Sequence, residues 1–371
     1  MTYEAEARAL DSEILAAIAA WHARGEELEE RAFNDLALRI FAHQLRYNQP
    51  YARYCERRGV TLDSLPPSWE AIPALPAPAF KEAAITTFDP AGARLVFETS
   101  GTTAGRSGRH YLESSTLYDA ALLAGFERFV LHDGAALRYL NLVPNPQESP
   151  HSSLGYMMAR VAQTRGDGKT GWYLRDGLLL FDSLWNDLHE AVAQERPVCL
   201  AATAFALVHL LEAMEAANLR VRLPNRSRVM ETGGFKGRTR EVSREDLYRR
   251  AGDRLGIAGE QIVAEYGMTE LTSQYYDRSP RRDAVATRRK SSPPWLRVRV
   301  VGPDRKTLAR GEIGSLLHVD LANRSSCMAI QTEDLGAAHG DGFVLLGRSL
   351  GAEPRGCSLD AEDLRALAFG K

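Results

Sequence analysis

At 371 residues the chain exceeds one average domain and fits a large α/β domain with appendages. Its 44% hydrophobic and 25% charged residues are ordinary globular values, and a formal net charge of −2 excludes the cationic excess that would neutralise a nucleic-acid backbone. Cys55, Cys199, Cys327 and Cys357 share no C-x-x-C spacing, which argues against a disulfide framework or zinc knuckle and for a reducing, cytoplasmic setting.

The N-terminus, MTYEAEARALDSEI, carries acids where a signal peptide needs a basic region and an apolar core, so export is not expected. The first sixty residues repeat apolar positions every three or four residues and read as helices. The stretch 66–78 holds five prolines and reads as an extended connector. Beyond it, strands are predicted at 94–98, 138–143, 198–203, 228–232 and 261–264. Helices are predicted at 116–131, 154–163, 181–195, 204–216 and 243–255, an alternation that predicts a sheet with helical crossovers. The most apolar window, VCLAATAFALVHLL at 198–211, is too short for a bilayer span and reads as a buried strand entering a buried helix. The segment 277–294, DRSPRRDAVATRRKSSPP, reads as a solvated basic loop or as a landing surface for an acidic partner or for the substrate's negative end. From Trp295 onward, WLRVRVVG, IGSLLHVD, CMAIQT and GFVLLG predict a small antiparallel β subdomain.

Five short motifs carry chemistry. After the first predicted strand, Thr99-Ser100-Gly101-Thr102-Thr103-Ala104-Gly105 combines turn-permitting glycines with hydroxyl donors. Such a loop forms an anion nest, and Arg106 and Arg109 add positive charge. It does not match the G-x-x-x-x-G-K-[ST] loop of the common NTPases. In METGGFKGR, Gly233 and Gly234 leave room for a flat ring; Lys236 and Arg238 follow as surface or substrate-contacting cations. In EYGMTE, Tyr266 and Gly267 precede Thr269 and Glu270, and a carboxylate beside a phosphate site suits Mg²⁺. In QTEDLG, Asp334 can accept hydrogen bonds from a ribose diol, and in LLGRS, Arg348 adds a cationic donor.

In this order the motifs resemble the adenylate-forming superfamily: T-S-G-T-T-G-x-P-K-G, a G-G pair, Y-G-x-T-E, T-G-D-L-G and G-R. Matching residues are Thr99–Thr103 and Gly108, Gly233 and Gly234, Tyr266 to Glu270, Asp334 and Gly336, and Gly347 with Arg348. HSSLGYMM (151–158), TAF (203–205), ETGGFKGR, EYGMTELTSQYYD, PPWLRVRV and RGCSL (355–359) narrow the resemblance. They point to the acyl-protein synthetase family, the type of the fatty-acid-activating component of the bacterial bioluminescence fatty-acid reductase. Departures are Ala104 for a loop glycine, Arg106-Ser107 for Pro-Lys, and Glu333 for a glycine.

The resemblance implies the α/β N-terminal-type fold of adenylate-forming enzymes, with layered α/β sheets plus the antiparallel subdomain, and lacking the C-terminal lid. The expected organisation is a helical region over 1–65, an adenylation core over 66–294, the β subdomain over 295–347 and a tail over 348–371. It further implies ATP and Mg²⁺, with phosphates at Thr99, Ser100, Gly101, Thr102, Thr103, Tyr266, Gly267 and Thr269, the metal at Glu270, adenine at Gly233 and Gly234, and ribose at Asp334 and Arg348. A carboxylic acid, expected to be a fatty acid, becomes an acyl-adenylate and is passed to Cys357 and then to a protein partner, a reductase or acyl carrier. Cys357 lies two residues after Arg355 and just before a predicted helix at 361–368, a setting that lowers a thiol pKa, although Asp360, Glu362 and Asp363 oppose this. The other three cysteines read as packing residues. His151 reads either as a residue flanking an acyl pocket or as a cap or core histidine. The alternatives are delivery to coenzyme A, a carrier protein or an amine, and a catalytically silent nucleotide-binding subunit.

Overall fold

The structure, a computed structural model, describes residues 2–99, 107–233, 242–277, 285, 288–340 and 342–348. These fall into two compact units, one within Met1–Ala124, Met268–Gln274 and Ser292–Lys371, the other within Gly125–Gly267 and Tyr275–Ser291.

The first unit begins with helices Tyr3–Arg24, Glu30–Tyr47 and Gln49–Glu56. Thr2 caps the first by accepting from Ala5 N, acids occupy its first turn and His22 and Arg24 its last, and Gly25 ends it at φ +69°. Its buried face is Ala7, Leu10, Ile14, Ile18 and Trp21, the three- and four-residue spacing seen in the sequence. Trp21 meets Trp295 edge to face at 5.4 Å between ring centroids, tying the helix to the chain just before strand Leu296–Val301. That strand pairs antiparallel with Ile313–Asp320, which pairs with Ala329–His339, which pairs with Gly342–Arg348. Residues Leu75–Pro76 from the proline-rich connector add in parallel to Ala329–His339.

Two departures from the sequence reading occur here. The strand predicted at 94–98 forms as Leu95–Glu98, but it pairs antiparallel with Arg109–Leu112 in a separate hairpin. And the polar stretch 321–328, LANRSSCM, is buried at every residue although it has no regular structure. A buried irregular chain must have its peptide groups satisfied by side chains, and here helix Glu30–Tyr47 and its C-cap supply them. Gln44 donates to Asn323 O and Arg324 O at 3.0 Å each and accepts from Met328 N at 3.2 Å, while Asn48 donates to Ser326 O at 3.0 Å. Arg324 adds a bidentate pair with Asp11 at 2.7 and 2.8 Å.

The second unit holds parallel strands in the order Gly166–Trp172, Leu137–Leu142, Val198–Thr203, Arg228–Thr232, Ile262–Tyr266. Strands Tyr275–Asp277 and Lys290–Ser291 continue it antiparallel. Helices Ser153–Arg165, Phe181–Ala193, Ala204–Ala216 and Arg244–Leu255 lie where the sequence placed them, to within two residues. Leu140, Leu184, Leu200, Leu207, Leu211, Val229 and Ile262 share one buried cluster, as parallel strands covered by helices require. The edge strand Gly166–Trp172, GDGKTGW, was not predicted; its composition lacks the apolar alternation of a strand. Ser152, not His151, caps the helix that follows, accepting from Gly155 N.

Candidate active site

Ligands of open α/β sheets bind at the carboxyl ends of the strands, and two of the predicted motifs stand there in the second unit. Gly233 follows strand Arg228–Thr232 with φ +75°, and a Cβ built on it meets nothing within 4 Å. The turn therefore needs glycine, and open space lies beside it, as a flat ring requires. Gly234, Lys236 and Arg238 lie outside the described residues. On the adjacent strand, Tyr266 is buried with its ring 5.7 Å from that of Tyr275, and Gly267 follows. Thr232 sits opposite Glu265, and its hydroxyl donates to that carboxylate. Burial pushes the Glu265 carboxyl up to about 7, against the opposing effects of the Thr232 hydroxyl and Lys290.

The basic loop reading of 277–294 needs correction at its described ends. Arg288 and Lys290 are 3% and 1% exposed, and Lys290 Nζ donates to Asp277 at 2.9 Å and to Ala264 O at 2.7 Å. Arg288 donates to Ile262 O at 2.7 Å. Burial raises the Asp277 carboxyl, yet Lys290 outweighs it and holds the group below its ordinary value. These cations are internal counter-charges for a strand end, not a solvated face.

In the first unit, Thr99 closes the stem of the glycine-hydroxyl loop. Its N–H donates to Gly108 O and its hydroxyl oxygen accepts from Gly108 N, both at 2.9 Å. Ser100, Gly101, Thr102, Thr103 and Arg106 lie outside the described residues. Arg109, expected to serve an anion, pairs with Glu98 at 2.9 Å. Lys81 was not anticipated: a Cβ on Gly108 would lie 3.4 Å from both Lys81 Cγ and the Thr99 side chain.

Glu270 is 8% exposed, and no described side chain donates to its carboxylate. Burial pushes it up to about 7; its own backbone N–H and the charges of Arg348 and Lys81 pull it down, and Asp334 pushes it up. Asp334 accepts from Arg348 Nε at 3.1 Å across paired strands. Glu270 thus feels the charges of Lys81, Arg348 and Asp334, the last two paired with each other. Beneath Thr269 and Glu270 lies a buried polar layer the sequence did not disclose. His110 Nδ1 meets Thr269 O at 2.8 Å, and because a carbonyl only accepts, Nδ1 carries a proton. Nε2 lies 2.9 Å from Asn323 Oδ1, while the Asn323 amide group donates to Glu270 O and Cys327 O, at 2.8 Å each. Full satisfaction of this pattern calls for protons on both ring nitrogens, whereas burial pulls the ring down to about 4 and favours the neutral form. The Nδ1–H donation holds in either state. Asp320 completes the layer, accepting from Thr272 N at 3.0 Å, from Ser273 N at 2.8 Å and from Ser273 Oγ at 2.9 Å.

Cys55, Cys199 and Cys327 are buried and unbridged; burial pushes Cys55 and Cys199 up to about 12 each, consistent with packing roles. Cys357 lies outside the described residues. Among the described residues no cluster of three or more His, Cys, Asp or Glu is placed to hold a metal, and no helix is long and apolar enough to cross a membrane. Mg²⁺ commonly takes one or two carboxylates and completes its shell with phosphate oxygens and water, so the donor set fits at Glu270: a buried carboxyl without a side-chain donor.

A family described as "Acyl-protein synthetase, LuxE" matches residues 172–364, just over half of the chain. The long-chain-fatty-acid–luciferin-component ligase of Aliivibrio fischeri is 22% identical over 316 residues, covering 83% of this chain and 80% of that protein. Among solved structures, 2-hydroxyisobutyryl-CoA ligase with its adenylate superposes with a TM-score of 0.64 at 13% identity, covering 88% of this chain and 70% of that one. The long-chain-fatty-acid-CoA ligase of Archaeoglobus fulgidus gives 0.51 at 15%, covering 70% and 52%. ATP-bound MatB from Rhodopseudomonas palustris gives 0.50 at 18%, covering 68% and 47%, so the chain spans about half the length of that protein. The fold is that of the N-terminal-type portion of adenylate-forming enzymes.

Proposed function

The chain belongs to the acyl-protein synthetase family, and on that premise we propose that it activates a fatty acid with ATP and passes the acyl group through Cys357 to a partner protein. The observation that carries this reading is Glu270, a buried carboxyl without a side-chain donor, set among Lys81, Arg348 and Asp334.

In the first step a carboxylate oxygen attacks the α-phosphorus of ATP, the bond to the bridging oxygen breaks and pyrophosphate leaves. Two anions must approach each other, so preorganised positive charge and N–H donors lower the barrier most. Lys81 and Arg348 supply fixed cationic charge. The Thr99–Gly108 stem fixes the separation of the two residues that bracket the hydroxyl-rich segment, whose donors would serve the phosphates. Within the second unit the open space at Gly233 is read as room for a flat ring; within the first, Asp334, oriented by Arg348, is read as the acceptor for ribose hydroxyls. Glu270 would hold Mg²⁺, which supplies charge neutralisation on the phosphates. In the second step the Cys357 thiolate attacks the acyl carbon, the bond to the phosphate oxygen breaks and AMP leaves. The proton of the thiol is released to solvent or to the departing phosphate.

Incubation with ATP, Mg²⁺ and a radiolabelled fatty acid tests the scheme. The wild-type protein is expected to show fatty-acid-dependent pyrophosphate exchange and covalent labelling sensitive to hydroxylamine. Cys357→Ser should keep the exchange and lose the label. Equal labelling of both proteins would remove Cys357 from the pathway, and absence of exchange in both would remove the adenylation step.

A further inference from the structure

Glu270 can serve a nucleotide only if its main chain is fixed, yet residues 267–274 between strands Ile262–Tyr266 and Tyr275–Asp277 lie outside any strand or regular helix. Nothing in regular secondary structure holds them. Their peptide groups are instead held by side chains reaching from elsewhere in the first unit. His110 takes the carbonyl of Thr269, Asn323 takes the carbonyl of Glu270, and Asp320 takes the amides of Thr272 and Ser273. His110 and Asn323 also touch each other at 2.9 Å, and both are essentially inaccessible to solvent. So complete a set of bonds to one short turn has a cost: each buried polar group is tolerated only when satisfied.

Resting on the adenylation reading above, we propose that His110 and Asn323 are positioning residues that clamp the Thr269–Glu270 carbonyls and thereby aim the Glu270 carboxylate at the nucleotide. The imidazole acts through its Nδ1–H and the amide through its NH₂. Neither reaches the substrate. His110 stands on strand Arg109–Leu112, which is paired with Leu95–Glu98, so this hairpin reaches the turn that bears the acid.

The clamp makes distinct demands on the two ring nitrogens. An asparagine amide can stand in for Nδ1–H, whereas a glutamine amide reaches the position of Nε2. His110→Asn should retain the bond to Thr269 O and His110→Gln should lose it. We expect His110→Gln and Asn323→Leu to lower kcat for fatty-acid-dependent pyrophosphate exchange about 10–100-fold with KM for the acid unchanged, the loss expected from misplacing a reacting group. His110→Asn should recover most of that rate. Hydrogen exchange of peptides covering 268–273, measured without ligands, should be faster in His110→Gln and Asn323→Leu and near wild type in His110→Asn. Wild-type protection in the first two variants, or equal damage from Asn and Gln at position 110, overturns the clamp. If the wild-type protein itself shows no exchange activity, the adenylation reading fails, and the peptide protection alone still decides whether the turn is held this way.

Discussion

Burial sets the Glu270 carboxyl at about 7 instead of the ordinary carboxylate value, so the unliganded protein bears a penalty when that group ionises. The folded pKa is raised, hence the folded state binds the proton more tightly, and stability is lost as pH rises from the unfolded value through the folded one. The loss is at most about 1.4 kcal/mol per pH unit over that interval. Glu270→Gln, nearly isosteric, should therefore be more stable than wild type at pH 8 in the presence of a chelator, with the difference vanishing below about pH 5. The same variant should lose at least about 100-fold in pyrophosphate exchange. Urea unfolding at both pH values, paired with the exchange assay, checks this: a variant less stable than wild type at pH 8 contradicts the assignment of the penalty. Gly233 is the complementary case, a residue whose value lies in what it lacks. At φ +75°, with nothing near, an alanine would cost about 1–2 kcal/mol in backbone strain and place a methyl group in the space read as the adenine site.

Individual elements matter through their hydrogen bonds as much as their packing. Gln44 is a fully buried amide whose three bonds all end on the main chain of the 321–328 stretch. Gln44→Met keeps the volume and strands two carbonyls and an N–H, so the expected loss is about 2–4 kcal/mol by urea denaturation at unchanged slope. A loss below about 0.5 kcal/mol would mean that water replaces the amide. The same element shows where sequence reading stops. Apolar spacing located the helices from Tyr3–Arg24 to Arg244–Leu255 and the parallel strands from Leu137–Leu142 to Ile262–Tyr266, because those stretches bury one face or both. Strand Gly166–Trp172 escaped because an exposed edge imposes no apolar alternation, and the burial of LANRSSCM went unread because its polarity is matched by side chains far away in sequence. Likewise Glu270, Asp334 and Arg348 were legible as ordered motifs, whereas Lys81, His110 and Asn323 have no local signature: what marks them is a partner 100 or more residues distant or a neighbouring strand end.

Across the molecule, buried ionisable groups pull the pH dependence in opposite directions. Burial lowers His43 and His110 to about 4 and His318 to about 3, so each folds neutral and its contribution is full above the unfolded value near 6.5 and lost as pH falls below it. Burial raises Glu265 and Glu270 to about 7 and Asp320 to about 6, so each detracts as pH rises through that range. The sum predicts a maximum of stability between about pH 6 and 7, a shallow decline to pH 8 and a steeper one below about pH 4.5, where the histidines are joined by carboxylates that their partners hold below the ordinary value, such as Asp133 and Asp277. Thermal unfolding in chelator across that range checks it, and a stability that climbs steadily to pH 8 would contradict it.

The stretch from Asp320 to Met328 is fastened at intervals along its own length: Asp320 and Asn323 to the turn that carries Glu270, Asn323, Arg324, Ser326 and Met328 to Gln44 and Asn48. Its residue count therefore works as a gauge block between the helices and the acid. Side chains on the outer faces of those helices can be exchanged freely, but adding or deleting a single position inside this span would throw one set of fastenings out of step with the other. Grafting new specificity onto this scaffold should accordingly leave the span's length alone and work at the strand ends.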